Sequence, residues 1–176
     1  MVKQFRGWAQ PDMAIDQIDS GIPYPIKGAW IQTANILGGQ AARANFHYEA
    51  LKKLEFVAVV DLFHNPTTMA LADIVLPAAT FAEKDSFRSW WAPLGVLHKT
   101  IQVGECKSDW EINFELARRL SPRKLKWNNV KELFNERLEV ANMTFDELVK
   151  QGSFKMPEDG PFKPYHRHER GLLRRD

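Results

Sequence analysis

The sequence predicts an α/β fold, part of a parallel sheet followed by extra helices and an irregular tail. Three observations predict it. Short apolar runs recur at "AWIQTA" (29–34), "EFVAVVD" (55–61) and "IVLP" (74–77), none with a charge in its middle. Segments of helical spacing lie between or after them. Polar residues collect where the runs end. Strand, helix, strand, turn, strand is the order from which parallel sheets are built.

The elements follow in chain order. Residues 1–27 read as an irregular lead-in, because Gly21, Pro23 and Pro25 make "SGIPYPIKG" a turn-rich connector. "AWIQTA" then reads as a buried strand, broken by "NILGG". Over 40–54, Ala42, Phe46, Ala50 and Leu54 recur at helical spacing, with Lys52 and Lys53 in the last turn. "EFVAVVD" suits a strand covered on both faces. A loop, "LFHNPTT", leads through the short helical turn "MALAD" to a third strand stopped by Pro77. "FAEKDSFRSWWAPLG" reads as an aromatic-rich loop and "VLHKTIQV" (96–103) as a strand. In "SDWEINFELARRL", Ser108 and Glu111 form a capping box, and Trp110, Phe114, Ala117 and Leu120 form the apolar face. Another helix is expected over about 129–141. A further one begins at Thr144, where Thr144 and Glu147 repeat the box. From Gly152 the chain is rich in Pro, Gly and charge and reads as a connector. The expected organisation is therefore a lead-in (1–27), an α/β unit (28–121), a helical appendage (122–151) and a connector towards a further domain (152–176).

Bulk properties exclude several classes. With 24 basic and 22 acidic residues the charge is too balanced to argue for nucleic acid or a membrane surface. The single cysteine, Cys106, rules out an intramolecular disulfide and a multi-cysteine metal site in this chain. No apolar run approaches the roughly 20 residues of a membrane span. Residues 1–17 hold no continuous apolar stretch of the signal-peptide kind.

The candidate ligand residues sit at predicted strand ends. Asp61 closes "EFVAVVD", and open parallel sheets bind ligands outside their carboxyl ends. A carboxylate there can accept two hydrogen bonds from guanine or from ribose hydroxyls; its commoner role is to cap a helix or brace a loop. Asn35 follows the first strand in the same way and can reach a phosphate or sugar oxygen, although an Asn at such a point is usually a turn former. Thr67 and Thr68 offer hydroxyls that equally suit capping of "MALAD". Asp73 reads as structural, and Glu83, Lys84 and Asp85 as a solvated charge run. The histidines lack zinc-pair spacing, and no Gly-rich phosphate loop, serine elbow or Cys–His pattern is present. From the residues alone, the site suits a nucleotide-like ligand.

Taken together, residues 28–85 resemble the molybdopterin oxidoreductases of the dimethyl-sulfoxide reductase superfamily. The most specific piece is "ADIVLPAATFAEKD" (72–85): Ala-Asp, a β-branched pair, Leu-Pro, small residues, then an aromatic, Ala and Glu. "DWEINFELARRL" is similar to the family's following helix, and "PYHRHERGLLRRD" (164–176) to the connector before its C-terminal barrel.

The resemblance implies a Rossmann-like α/β unit that helps to hold one of two pyranopterin guanine dinucleotides. By it Asn35 matches the family's strand-end Asn, within "TANI" where the family has Pro after Asn. Asp61 matches the family Asp that reads the guanine edge, and Thr67 or Thr68 the loop Thr, in a loop one residue longer than usual. After "EKD" this chain departs from the family's Gly-containing stretch with "SFRSWWAPLGVLHK" (86–99).

The expected protein is a molybdenum or tungsten oxidoreductase, such as an anaerobic dehydrogenase, of which this chain is an internal part without chemistry of its own. An iron–sulfur cluster would lie in an N-terminal part. The expected partners are the rest of the same polypeptide and an electron-transfer subunit, and the isolated chain is expected to self-associate through exposed sheet edges. A non-redox member of the superfamily, a hydratase or hydroxyl transferase, and a stand-alone nucleotide-binding or scaffolding module are the alternatives.

Overall fold

The structure is a computed structural model and describes residues 10–40, 42–88 and 94–154. The described residues form two compact units: those up to Lys84 with Thr100–Asn113, and Asp85–Lys99 with those from Phe114 onward.

The first unit carries the parallel sheet. Strands β1 (Gly28–Gln32), β2 (Phe56–Asp61) and β3 (Ile74–Pro77) lie in the order β1-β2-β3, both pairs parallel. Gly28 faces Phe56 and Gln32 faces Val60; on the other side Ala58 faces Ile74 and Asp61 faces Pro77. The central strand is the most deeply enclosed element. Its four residues Val57–Val60 are all buried, as an uninterrupted β-branched run requires when both faces are covered. This confirms the α/β reading and its three strands.

Helix α1 (Pro11–Ser20) corrects the expectation that residues 1–27 are irregular, for the part that is described; residues 1–9 lie outside the described residues. Pro11 starts the helix with its φ already set, and Gly21 ends it in the left-handed region (φ 71°), its N–H donating to Gln17 O at 2.8 Å. Ile15 seats the helix against Ala50 and Leu51 of α2 (Ala44–Leu51). Helix α2 is shorter than expected, and a π-type turn, Ile36–Gln40, fills the break after β1. Of its expected stripe, Ala50 is buried, Phe46 and Leu54 are partly so, and Ala42 is exposed. Helix α3 (Pro66–Leu71) connects β2 to β3.

In the second unit, β4 (Ser86–Arg88), β5 (Leu94–Leu97) and β6 (Ser153–Phe154) form an antiparallel sheet. The strand expected over 96–103 thus ends at Leu97, and part of the expected aromatic loop is strand β4; residues 89–93 lie outside the described residues. The division between the units falls within helix α4 (Asp109–Leu120), after Asn113. Its apolar face includes Ile112, packed on Val60 and Ala78 in the first unit, whereas Leu120 is exposed. Helices α5 (Val130–Leu138) and α6 (Phe145–Gln151) cover the second unit. Phe134 anchors its core, with Phe87 and Phe145 each 5.3 Å away between ring centroids. The two units interleave along the chain, because the β4–β5 pair packs with α5 and α6. The connector expected over 152–176 lies, beyond Phe154, outside the described residues.

Candidate functional site

Asn35 and Asp61, singled out at strand ends, and Thr67 and Thr68, singled out in the segment after Asp61, meet in one hydrogen-bonded cluster at the carboxyl edge of β1 and β2. The backbone places them there. After Gln32 the chain continues the ladder for one bond, Thr33 N–H to Val60 O at 2.9 Å, and turns at Thr33 with φ 52°. Asn35 then projects at the start of the π-type turn. Its Oδ1 accepts from Gly38 N–H (3.0 Å) and from the Thr67 hydroxyl (3.1 Å). Only an oxygen can accept from that N–H, so the amide orientation is determined. The Asn35 Nδ2 hydrogens are left without a partner among the described residues. A Cβ at 38 would collide with the Asn35 amide, so any other residue there would push Asn35 out of this position.

Thr67 and Thr68 are buried, and their hydroxyls are already engaged. Thr67 Oγ1 accepts from Leu37 N–H (3.0 Å) while donating to Asn35. Thr68 Oγ1 accepts from Asn65 N–H (2.7 Å) and donates to Asn65 O (2.8 Å). Both act as braces inside the wall of the site.

Asn65, which the sequence reading passed over, joins the cluster. Its Oδ1 accepts from Thr67 N–H (2.9 Å) and Thr68 N–H (3.1 Å), capping α3. Its Nδ2 donates to Asp61 Oδ2 at 2.8 Å. Asp61 Oδ1 accepts from Leu62 N–H (2.7 Å) and, at the limit of the range, from Phe63 N–H (3.5 Å). Asp61 is half-buried, and Leu62 and Phe63 beside it are exposed. The signal for Asn65 was present in the sequence: Asn followed by Pro is a helix start. Asp73, read as structural, accepts from Val57 N–H at 2.7 Å and ties the β3 entry to β2.

Two further networks lie in the same unit. Gln32, the last residue of β1, accepts from Trp30 Nε1 (3.0 Å) and donates to Asp109 (2.7 Å), which also pairs with Lys84 (3.0 Å). Burial works against ionisation of Asp109, but the hydrogen bonds from Gln32 and Lys84 and the Lys84 charge outweigh it and lower its pKa. Glu83 corrects the reading of 83–85 as a solvated charge run, since it is only 6% exposed. Its carboxylate accepts from Cys106 Sγ (3.1 Å), the Thr80 hydroxyl (2.7 Å), Thr80 N–H (3.0 Å) and Val103 N–H (3.1 Å). The Cys106 and Thr80 bonds together pull its pKa down to about 2. The Thr-x-x-Glu pattern at 80–83 foretold the local half of this clamp; the distant half, Val103 and Cys106, had no local signal.

Among the described residues no group of three or more His, Cys, Asp or Glu side chains could hold a metal ion. No described helix is long and apolar enough to cross a membrane.

Comparison with known proteins bears on the same segment. Residues 18–119 match the sequence model of the family described as molybdopterin oxidoreductase. Similar curated proteins include dopamine dehydroxylase of Eggerthella lenta, 30% identical over 81% of this chain and 14% of that protein. The F420-dependent formate dehydrogenase 2 subunit alpha of Methanococcus maripaludis is 36% identical over 67% of this chain and 19% of its own length. Acetylene hydratase of Syntrophotalea acetylenica is 29% identical over 85% of this chain and 21% of its own. The solved structure of acetylene hydratase from Pelobacter acetylenicus shares the fold, with a TM-score of 0.73 at 24% identity, over 85% of this chain and 21% of that one. The chain thus spans between 14% and 21% of the length of these proteins.

Proposed function

Because this chain belongs to the molybdopterin oxidoreductase family, we propose that its parallel sheet helps to hold the guanine dinucleotide form of the molybdopterin cofactor, with Asp61 receiving the guanine edge. One observation carries the reading. The carboxyl-edge cluster leaves Asp61 and Asn35 with complementary unused capacity, acceptor positions on the one and donors on the other.

The residues fit such a ligand. A carboxylate offers about four acceptor positions. Asp61 spends one on each oxygen in short bonds, to Leu62 N–H and to Asn65 Nδ2. A position remains open on Oδ2, and on Oδ1 one is held only by the long 3.5 Å contact from Phe63 N–H, which a ligand donor can displace; the pair matches the N1–H and amino donors of guanine. The exposed Leu62 and Phe63 offer apolar surface to the base. The free Asn35 Nδ2 hydrogens suit a sugar or phosphate oxygen. Thr67 and Thr68, both carried over by the resemblance, serve here by fixing Asn35 and Asn65 rather than by touching the ligand. When bound, the cofactor's metal supplies the redox chemistry; this chain supplies binding, orientation and electrostatics.

The relatives at comparable identity include a dehydrogenase and a hydratase by name. The likeness therefore does not single out one reaction, and a non-redox reaction stands beside the redox one. The remaining partners belong to the same reading: the rest of a longer polypeptide, an electron-transfer subunit, an iron–sulfur cluster held outside this chain, and self-association when the chain is isolated. Residues 28–121 would be the cofactor-binding part, 122–151 an appendage, and 152–176 the link onward.

The test is calorimetric titration of GDP into the full-length protein prepared without its cofactor. Asp61→Asn turns an acceptor towards the guanine donors into an amide. Charge-assisted hydrogen bonds of about 1.5–3 kcal/mol are at stake, so the GDP affinity of this site should drop at least about tenfold. GDP binding that ignores residue 61, or no GDP binding at all, overturns the proposal.

A further inference from the structure

We infer that Asn65 is the positioning residue that gives the site its preference for guanine, by locking the Asp61 carboxylate in the orientation described. The inference rests on the reading of Asp61 as the guanine acceptor.

Capping of α3 does not by itself call for asparagine. Ser, Thr, Asp and Asn all serve at a helix start, where only an acceptor is needed. Asn alone among them adds an N–H donor, and here that donor is used. The Asn65 oxygen must face Thr67 N–H and Thr68 N–H, which can only donate. The Asn65 amide is therefore not free to flip, and Nδ2 must face Asp61 Oδ2, where it sits at 2.8 Å.

The consequence for Asp61 is restraint at both oxygens. Leu62 N–H holds Oδ1 at 2.7 Å and Asn65 holds Oδ2 at 2.8 Å. Rotation about the Cβ–Cγ bond would break both. The carboxylate plane is thus set before any ligand arrives, with an open acceptor position on Oδ2 and one on Oδ1 held only by the long contact from Phe63 N–H. Two parallel acceptors match the two parallel donors of guanine. Adenine offers a donor beside an acceptor on that edge, and hypoxanthine lacks the amino donor. With only the backbone holding Oδ1, the carboxylate would swing, and one of the two bonds to guanine would be lost. Asn65 also reaches the other side of the site, because the Thr67 it fixes donates to Asn35 at 3.1 Å.

The experiment compares GDP with IDP, which lacks the amino group, on the full-length cofactor-free protein. Asn65→Ser keeps a cap acceptor and removes the amide N–H that faces Asp61, leaving only a hydroxyl on a side chain one atom shorter. Asn65→Asp keeps the cap and sets a second carboxylate against Asp61. Melting curves of all proteins are recorded beside the titrations. The expected result is a GDP-over-IDP preference that falls about tenfold in Asn65→Ser, the size of one hydrogen bond to a charged group, and further in Asn65→Asp, with melting close to wild type. Should Asn65→Ser fail to fold, the preference in Asn65→Asp decides. A preference that stays at the wild-type value while Asp61→Asn abolishes GDP binding overturns the role of Asn65 alone. Equal losses for GDP and IDP mean a purely structural cap and also overturn it. Wild-type protein that does not bind GDP, or whose binding survives Asp61→Asn, overturns the parent reading and this one with it.

Discussion

Glu83 shows what a single side chain contributes away from the ligand edge. Its carboxylate takes bonds from Cys106, Thr80 and Val103, each of which favours the ionised form, and its pKa falls to about 2 from a reference of 4.5. The unfolded chain binds this proton more readily than the folded one. Glu83 therefore stabilises the fold fully above about pH 4.5, and that contribution is lost as the pH falls through the folded value. Glu83→Gln should lower the melting temperature at pH 7, with the gap to wild type closing between about pH 4.5 and 2; a melting series across that range checks it. A gap that does not change with pH would show that Glu83 is not ionised in the clamp. The same scale separates Asp61 and Asn35 from the two threonines. All four were visible as polar residues at or shortly after strand ends. Which of them kept spare hydrogen-bonding capacity depended on partners up to 32 residues away, and no local pattern encodes that.

At the scale of elements, helix starts were the most legible feature. Ser108 and Glu111 cap α4 as their spacing predicts: Glu111 Oε2 accepts from Ser108 N–H (2.8 Å) and its hydroxyl (2.7 Å), and Ser108 Oγ accepts from Glu111 N–H (3.2 Å). Thr144 and Glu147 do the same for α6. Ser108→Ala should destabilise the fold by about 1 kcal/mol, measured by denaturant unfolding, whereas Ser108→Asp, which restores a cap acceptor, should recover part of the loss. Capping is readable because donor and acceptor lie three residues apart. Strand lengths were less readable. β5 stops at Leu97 although "VLHKTIQV" continues in strand-like composition. There the chain turns away to bond elsewhere: Thr100 N–H and Ile101 N–H both donate to Ala82 O, at 2.9 and 3.2 Å. Helix α1 was hidden for the opposite reason. With Pro23 and Pro25, Gly21 reads in the sequence as part of a turn-rich connector, yet Pro11 at the start and Gly21 just past the end are what bound a helix.

At the scale of the whole molecule, each unit is held by its own core. In the second, Phe134 is 1% exposed and stacks with Phe87 and Phe145. Phe134→Ala should cost about 3–5 kcal/mol, and hydrogen exchange should show the amides of α5 and α6 losing protection; unchanged protection there would remove Phe134 from the core role given to it. The sequence by itself determined the α/β class, the three parallel strands, the family, and the gathering of polar residues at the carboxyl edge. The family follows from the resemblance carried by residues 28–85; the rest follows from short-range periodicity and from where apolar runs stop, because a strand buried on both faces must be continuously apolar and can place polar groups only at its end. Tertiary structure alone decided that β4 and β5 belong with the C-terminal helices, that Glu83 is enclosed, and that Asn65 grips Asp61. Each of those outcomes depends on which groups the folded chain brings within hydrogen-bonding distance. That is a property of the closed structure rather than of neighbouring residues.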